Sequence, residues 1–559
     1  MQHISLLAPD ESGSCFHITE RTAADLSLDF LSGNITKNAA EQTVIRRILL
    51  DMPVDPAITR YRHAVYTELR SDQTFCTELF KVCDSLRFSF NDRPVMIGGQ
   101  SSIWELVQRF RAIEHYIRSV MKLRDLFAGR TFHSEGLQRF AACIETISKD
   151  SGFDELLKDI TALDDDIYSI RSITLGINLD PNYNAAEVGI VSLNRFSYRE
   201  QSALQNFMAF HRRDRVSDRD LYPFSMEVHS NGWDWFEKHC PDIQTPPRPE
   251  DTALRDNLTV IVERMLPVLT GKLKKVLDKY VHISGRMLAD LADELLFYQR
   301  FIGFEQKLQE HGFPCCSGTE SPDDTVLHDF YNVRLALVSM DGKLAENVVC
   351  NDAAFTDDQT VQILTGPNRG GKTILTQGIG LAFLLYQSGV FVPASAAKIR
   401  RCDGIFSHFP VEEERTVSLG RLGEEAARCR EICKQATAES LLLFNESFAT
   451  TSHTESLYIA EDVLKYLCRI GARTIFNTHM HELAEHCDRL SDAADTRCRA
   501  CSIVMENGAD NRYKISRRKP DGKSYARSIA EQYGITFEQL CSELESGHEI
   551  CCQRRDDAL

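Results

Sequence analysis

The sequence predicts a mixed fold, a mainly α-helical region followed by an α/β region wound around a glycine-rich loop. Three observations carry that prediction. Apolar residues recur at helical spacing over much of the chain up to about 310. From about 325, strand-like runs alternate with helices and Gly-rich turns. Between one such strand and helix stands GPNRGGKT (366–373).

A chain of 559 residues, 43% hydrophobic and 26% charged, is that of a globular protein with roughly two to four domains. Its N-terminus, MQHISLLAPDESG, has no basic start leading into an apolar core, so no secretory signal is predicted. The 18 cysteines are scattered, which predicts reduced thiols and a cytoplasmic location. One CxxC occurs, Cys498 to Cys501, with no second pair to complete a zinc site. The net charge of −17 argues against nonspecific coating of nucleic acid. Basic clusters at 211–215, 398–401 and 513–527 read as solvated faces.

Taken in order, residues 20–90 read as helices: LSLDFLSGN, AAEQTVIRRILLDM and DPAITRYRHAVYTELRSD. Asp55-Pro56 marks a helix start with proline in its first turn. From Ser101, residues Ile103, Leu106, Val107, Phe110, Ile113, Ile117 and Val120 keep a helical period. Residues 171–196 alternate β-formers around Asp180-Pro181-Asn182, predicting a β-ribbon that either caps a helical bundle or contacts a ligand. A second helical region spans about 252–310, with Pro267 and Gly271 expected to bend or break it. VQILTG, LLLFN, TIFNTH, RCRACSIVMEN and RYKISRR are the strand candidates that follow. GIGLAFLLYQSGVFVPA (378–394) is too short to span a bilayer and reads as a buried helix with its turn. The expected domains are 1–100, 101–325, 326–540 and a polar tail 541–559.

GPNRGGKT fits G-x-x-x-x-G-K-[ST] in full, with the strand before it and helix after it that the motif requires. Glycines let backbone N–H groups curl around phosphate oxygens, and the helix N-terminus favours negative charge. The expected nucleotide contacts are Gly366, Pro367, Asn368, Arg369, Gly370, Gly371, Lys372 and Thr373. Lys372 would reach the β- and γ-phosphates of ATP, and Thr373 would ligate Mg²⁺. In LLLFNES (441–447), Asn445 falls at the metal-side position and Glu446 beside the attacking water. His479, at the end of TIFNTH, is expected to meet the γ-phosphate, so Glu446, Lys372 and His479 form the predicted catalytic set.

The order of loop, Gly-Arg segment, acid strand and Thr-His strand resembles the ATPase domain of the MutS family of DNA mismatch repair proteins. TGPNRGGKT is similar to that family's loop, and GVFVPASAAKIRRCDGIFSHF (389–409) to its next block. SLGRLGEE (418–425) falls where its ABC-type signature lies, while FNTHMHELAE and GKSYARSIAEQYGI resemble its final elements. LSLDFL and DPAITRYRHAVYTEL resemble the start of the MutS core domain. The resemblance implies lever helices leading to a DNA-holding clamp, and a homodimer in which Gly420 and Arg421 reach the partner's nucleotide. Three departures stand out. The chain starts at the core-like region, so the mismatch-reading wedge and connector are expected to be missing, and no nuclease-like extension is expected after the ATPase. Asn445 replaces the family's aspartate, which predicts slow hydrolysis. Leu419 and Leu422 replace serines around the signature glycine. The expectation is a DNA-binding ATPase that recognises distorted, mismatched or branched DNA by shape, with no membrane partner. The alternative is a nucleotide-gated protein-interaction module that no longer binds DNA.

Overall fold

The computed structural model describes the chain except residues 1–3, 10–13, 91–102, 169–171, 180, 182–184, 195–266, 281–285, 345–346, 368–369, 411–419, 450–451, 495–497, 507–511, 521–534 and 542–559. The basic cluster 211–215, the part of the stretch 513–527 from 521 onward and nearly all of the polar tail lie outside the described residues. The chain forms two compact units interleaved in sequence. The first comprises Met1–Ile4, Thr74–Phe132 and Leu137–Leu295, the second Ser5–Gln73, His133–Gly136 and Leu296–Leu559.

The second unit opens with β1 (Cys15–His17), paired antiparallel to β2 (Asp51–Pro53). Between them lie α1 (Glu20–Asp25), α2 (Leu28–Ile35) and α3 (Ala39–Leu50), with α4 (Pro56–Ser71) following. Their starts follow from local chemistry. Thr19, Asn38 and Asp55 accept hydrogen bonds from otherwise unpaired N–H groups at the starts of α1, α3 and α4. Pro56, which has no N–H to lose, occupies the first turn of α4 as expected. The face bearing Ile58, Tyr61, Val65, Tyr66 and Leu69 is buried.

The first unit holds nearly all of α5 (Gln73–Phe90), α6 (Ile103–Phe127), α7 (Glu135–Lys149) and α8 (Ser151–Tyr168). Leu106, Phe110, Ile113, Ile117 and Val120 of α6 are buried, as their spacing predicts. The rings of Phe75, Phe127, Phe132 and Phe140 meet with centroids 5.1–5.9 Å apart. The expected β-ribbon is present as β3 (Ser172–Leu179) and β4 (Ala185–Asn194), an antiparallel pair with two register shifts. The described part of the second helical region begins with α9 (Pro267–Lys279), the residues before Pro267 lying outside the described residues. One expectation is corrected, since the helix runs through Gly271. A single glycine costs a helix only about 1 kcal/mol, too little to stop it.

α10 (Arg286–Glu310) divides between the units at Leu295 and Leu296. Within the second unit, buried Glu305 of α10 accepts hydrogen bonds from Tyr66 Oη and Arg70 Nη1, both at 2.7 Å. Tyr298 Oη donates to Leu6 O at 2.8 Å. β5 (Thr319–Glu320), β6 (Thr325–Phe330), β7 (Asn351–Phe355) and β9 (Ala396–Ile399) form a four-stranded sheet in the order β5-β9-β6-β7. The main sheet adds β8 (Val361–Thr365), β10 (Ile405–His408), β11 (Leu441–Asn445), β12 (Arg473–Asn477), β13 (Ala500–Met505) and β14 (Ile515–Arg517), ordered β10-β11-β12-β8-β13-β14. All neighbours are parallel except β13 with β14.

Near-continuous apolar runs in β8 and β11 suit strands covered on both faces. On one face Leu442, Phe444 and Phe476 pack with Leu464 and Leu467 of α14 (His453–Ile470), while α11 (Val333–Met340) precedes β7 and α13 (Gly420–Gln435) follows β10. The other face receives α12 (Lys372–Gln387), whose Gly380 lets Leu443 approach to where a Cβ would be 2.6 Å away. This is the buried helix expected from 378–394.

Candidate functional site

Three parallel strands, β8, β11 and β12, end together at the edge where α12 begins. In an open α/β sheet this carboxyl edge is where ligands bind. The chain leaves β8 through Gly366 at φ +148°, where a Cβ would sit 2.7 Å from that of Met505. Gly370 likewise has no room for a side chain, since a Cβ would lie 2.8 Å from Pro367 O. Gly371, at φ +87°, caps the N-terminus of α12 in the left-handed region that glycine favours. The turn therefore ends with free backbone N–H groups at the start of a 16-residue helix. Asn368 and Arg369 lie outside the described residues.

Lys372 is buried, and its Nζ donates to Gly366 O at 3.1 Å and Pro367 O at 3.0 Å. Burial lowers its pKa to about 8, against a smaller opposing pull from the Glu446 carboxylate. Thr373 Oγ1 donates to Asn445 Oδ1 at 2.9 Å, and Asn477 Nδ2 donates to the same oxygen. Asn445 is thus brought to Thr373 as the sequence suggested, although the strand register also delivers Asn477, which the sequence reading missed.

Just beyond β11, Glu446 takes φ +48° and its N–H donates to Asn477 O at 2.9 Å. His479 Nε2 lies 2.8 Å from Glu446 Oε1. That hydrogen bond is the main reason the Glu446 carboxyl titrates below its ordinary range, opposed by partial burial. The next residue, Ser447, donates to Nδ1 of buried His408 at 2.7 Å. His408 Nε2 is 3.1 Å from Glu425 O, and a carbonyl can only accept, so Nε2 carries the proton. His408 thereby ties the turn after β11 to α13. Gly420 and Arg421 occupy the first turn of α13.

Beside the loop lies a cavity of about 230 Å³, lined among others by Tyr331, Asn332, Gly371, Ile374, Met505 and Tyr513. Asn332 caps α11 and donates through Nδ2 to Ile374 O at 2.7 Å, fixing that wall to α12. Asn351 Nδ2 donates to Tyr513 O at 3.0 Å and holds the opposite wall. The cavity is mostly apolar with a few amide and hydroxyl groups, suited to a flat heterocycle attached to a phosphate chain in the adjoining turn. No sequence motif announced it, because its residues come from four separate stretches. Among the described residues, no three His, Cys, Asp or Glu side chains are placed to hold a metal ion, Cys498 and Cys501 included. No described helix is long and apolar enough to cross a membrane.

These features define a mixed α/β chain with a glycine-rich loop between a central parallel strand and a buried helix. Residues 362–541 match the family described as MutS domain V, and residues 54–311 match the MutS2 N-terminal domain. The chain is 30% identical over 310 residues to the DNA mismatch repair protein MutS of Salinibacter ruber, covering 53% of this chain and 33% of that protein. It is 41% identical over 141 residues to the protein of that name from Chlorobium limicola, covering 25% and 16% of the two chains. It is 36% identical over 146 residues to the DNA mismatch repair protein MutS 2 of Halobacterium salinarum, covering 26% and 17%. The chain is a MutS-like protein, and it spans a third or less of the length of these relatives.

Proposed function

We propose that the chain binds ATP with Mg²⁺ in the turn 366–373, hydrolyses it slowly, and couples that cycle to holding DNA. The observation that carries this reading is Lys372, a buried ammonium at the first turn of α12 with only loop carbonyls as hydrogen-bond acceptors. A chain of phosphates is the anion that suits it, because the same turn offers helix N-terminal N–H groups. The heterocycle cavity adjoins that turn through Gly370 and Gly371.

The residues present also suit a divalent cation. Thr373 gives its hydrogen to Asn445, which leaves the hydroxyl oxygen's lone pairs for a metal. When bound, Mg²⁺ neutralises charge on the phosphate oxygens. Asn445 keeps an oxygen at the metal side but not the negative charge, and slow turnover follows from that loss. Glu446, kept ionised by His479, accepts a hydrogen bond from the attacking water and orients it. His479 serves as the group that holds Glu446, a role distinct from the γ-phosphate contact expected from sequence.

The relatives' names refer to DNA mismatch repair. On this reading the first unit supplies the levers and clamp, and a homodimer places Gly420 and Arg421 of one copy at the nucleotide of the other. DNA contacts directed at phosphates and shape make binding salt-sensitive. The test is electrophoretic binding to homoduplex, mismatched and branched DNAs with and without ATP, together with ATPase rates across a salt series. Salt-sensitive shifts and DNA-stimulated turnover are expected. ATP binding with no shift and no stimulation at low salt would instead establish the protein-interaction module.

A further inference from the structure

We infer that Asn477 is a second cation-side residue of this loop: its donor end orients Asn445, and its carbonyl accepts from water held by a divalent cation. This inference rests on the ATP reading above. Asn445 and Asn477 are direct partners in the parallel register of β11 and β12, so both side chains point to the face that receives α12. An amide oxygen has two lone pairs. Those of Asn445 Oδ1 are taken by Thr373 Oγ1 and by Asn477 Nδ2. Asn445, standing at the metal-side position, therefore has no acceptor capacity left for a metal-bound water.

Asn477 has that capacity. The residue is fully buried, and its Oδ1 has no hydrogen-bond partner. A buried, unsatisfied carbonyl calls for an explanation, and an ion or ordered water is the usual one. A residue serving only to tie off the strand end would engage both ends of its amide within the protein. Asn477 engages the donor end alone, while its backbone carbonyl holds the N–H of Glu446. It therefore touches the metal-side residue and the water-orienting turn together. Two neutral amides replace one carboxylate, and the resulting cation site is weaker but built.

The test compares affinity for a non-hydrolysable ATP analogue, by calorimetry, in EDTA and in excess Mg²⁺, with Mn²⁺ binding followed by paramagnetic resonance. Asn477→Ala should lose about tenfold of the tightening that Mg²⁺ gives, with affinity in EDTA within about twofold of wild type. Asn477→Asp is nearly isosteric; it forfeits the N–H that Asn477 donates to Asn445, but the charge it adds beside the cation outweighs that loss and should increase the Mg²⁺ effect by about tenfold. If thermal melting shows Asn477→Ala unfolded, Asn477→Asp decides alone. An unchanged Mg²⁺ and Mn²⁺ response in the folded variants overturns the inference and leaves nucleotide binding standing. Wild type that fails to bind the analogue even in excess Mg²⁺ overturns the nucleotide reading, and this inference with it.

Discussion

Lys372 shows at the scale of one residue how burial prepares a site. Its free pKa of about 8 reflects desolvation, and a bound phosphate chain would raise it. Binding between the two values takes up a proton, so affinity is full below about pH 8 and falls as pH rises through it. Calorimetry in buffers of differing ionisation enthalpy should show up to about half a proton taken up at pH 8, and less at pH 7. Glu446 makes a separate prediction. Glu446→Gln keeps the shape and the backbone bond to Asn477 but removes the charge that orients water, so turnover should fall at least about a hundredfold with ATP affinity intact. Asn445→Asp keeps both incoming donors, Thr373 and Asn477, and restores a charge. Single-turnover hydrolysis should rise by about tenfold, worth about 1.4 kcal/mol of barrier. A rate no higher than wild type would show that position 445 does not limit the reaction.

At the scale of elements, what the sequence revealed and what it hid have physical causes. Long helices were legible because an apolar stripe repeated over many turns, as in α4 and α6. The strands β8 and β11 were legible because burial on both faces favours near-continuous apolar runs, and β12 because Thr474, Ile475 and Phe476 are strand formers in succession. β1 and β2 carry only three residues each, too few for a period to emerge. β6 reads TVLHDF, with two exposed positions in succession, and so lacks the alternation that marks a strand. The loop was legible as a local motif, whereas the Asn445–Asn477 pair and the His408 link depend on strand register and no local pattern encodes them. Some single positions matter to an element as much as its pattern does. Gly389 ends α12 at φ +81°, and a Cβ there would lie 2.1 Å from Arg62 Cβ on α4. Gly389→Ala combines left-handed strain with a backbone-level clash and should cost about 2–4 kcal/mol. A denaturant titration showing less than about 1 kcal/mol would mean that α4 and α12 part more easily than their packing indicates.

For the molecule as a whole, two buried histidines link stability to pH. His63 on α4 packs on the Tyr386 ring at 5.0 Å, and His408 lies between Phe444 and Phe448. Burial is the largest influence on each and lowers both pKa values to about 4 from an ordinary 6.5. Above pH 6.5 both residues are neutral whether the chain is folded or not, and they contribute no pH dependence. As pH falls from 6.5 towards 4, the unfolded chain binds protons that the folded chain refuses, so stability declines across that window. Below about 4 both states are protonated and the decline from these residues ends. Each histidine accounts for up to about 3 kcal/mol, a large share of the 5–15 kcal/mol typical of a folded domain. The denaturation midpoint should therefore drop well before the carboxylates titrate, and the loss between pH 7 and pH 5 should shrink in a His63→Phe variant. The loss belongs to the second unit, which holds both histidines and the loop. A midpoint that stays flat from pH 7 to pH 5 would mean that these rings reach water in the folded protein, and the tight burial of the sheet's two faces would have to be revised.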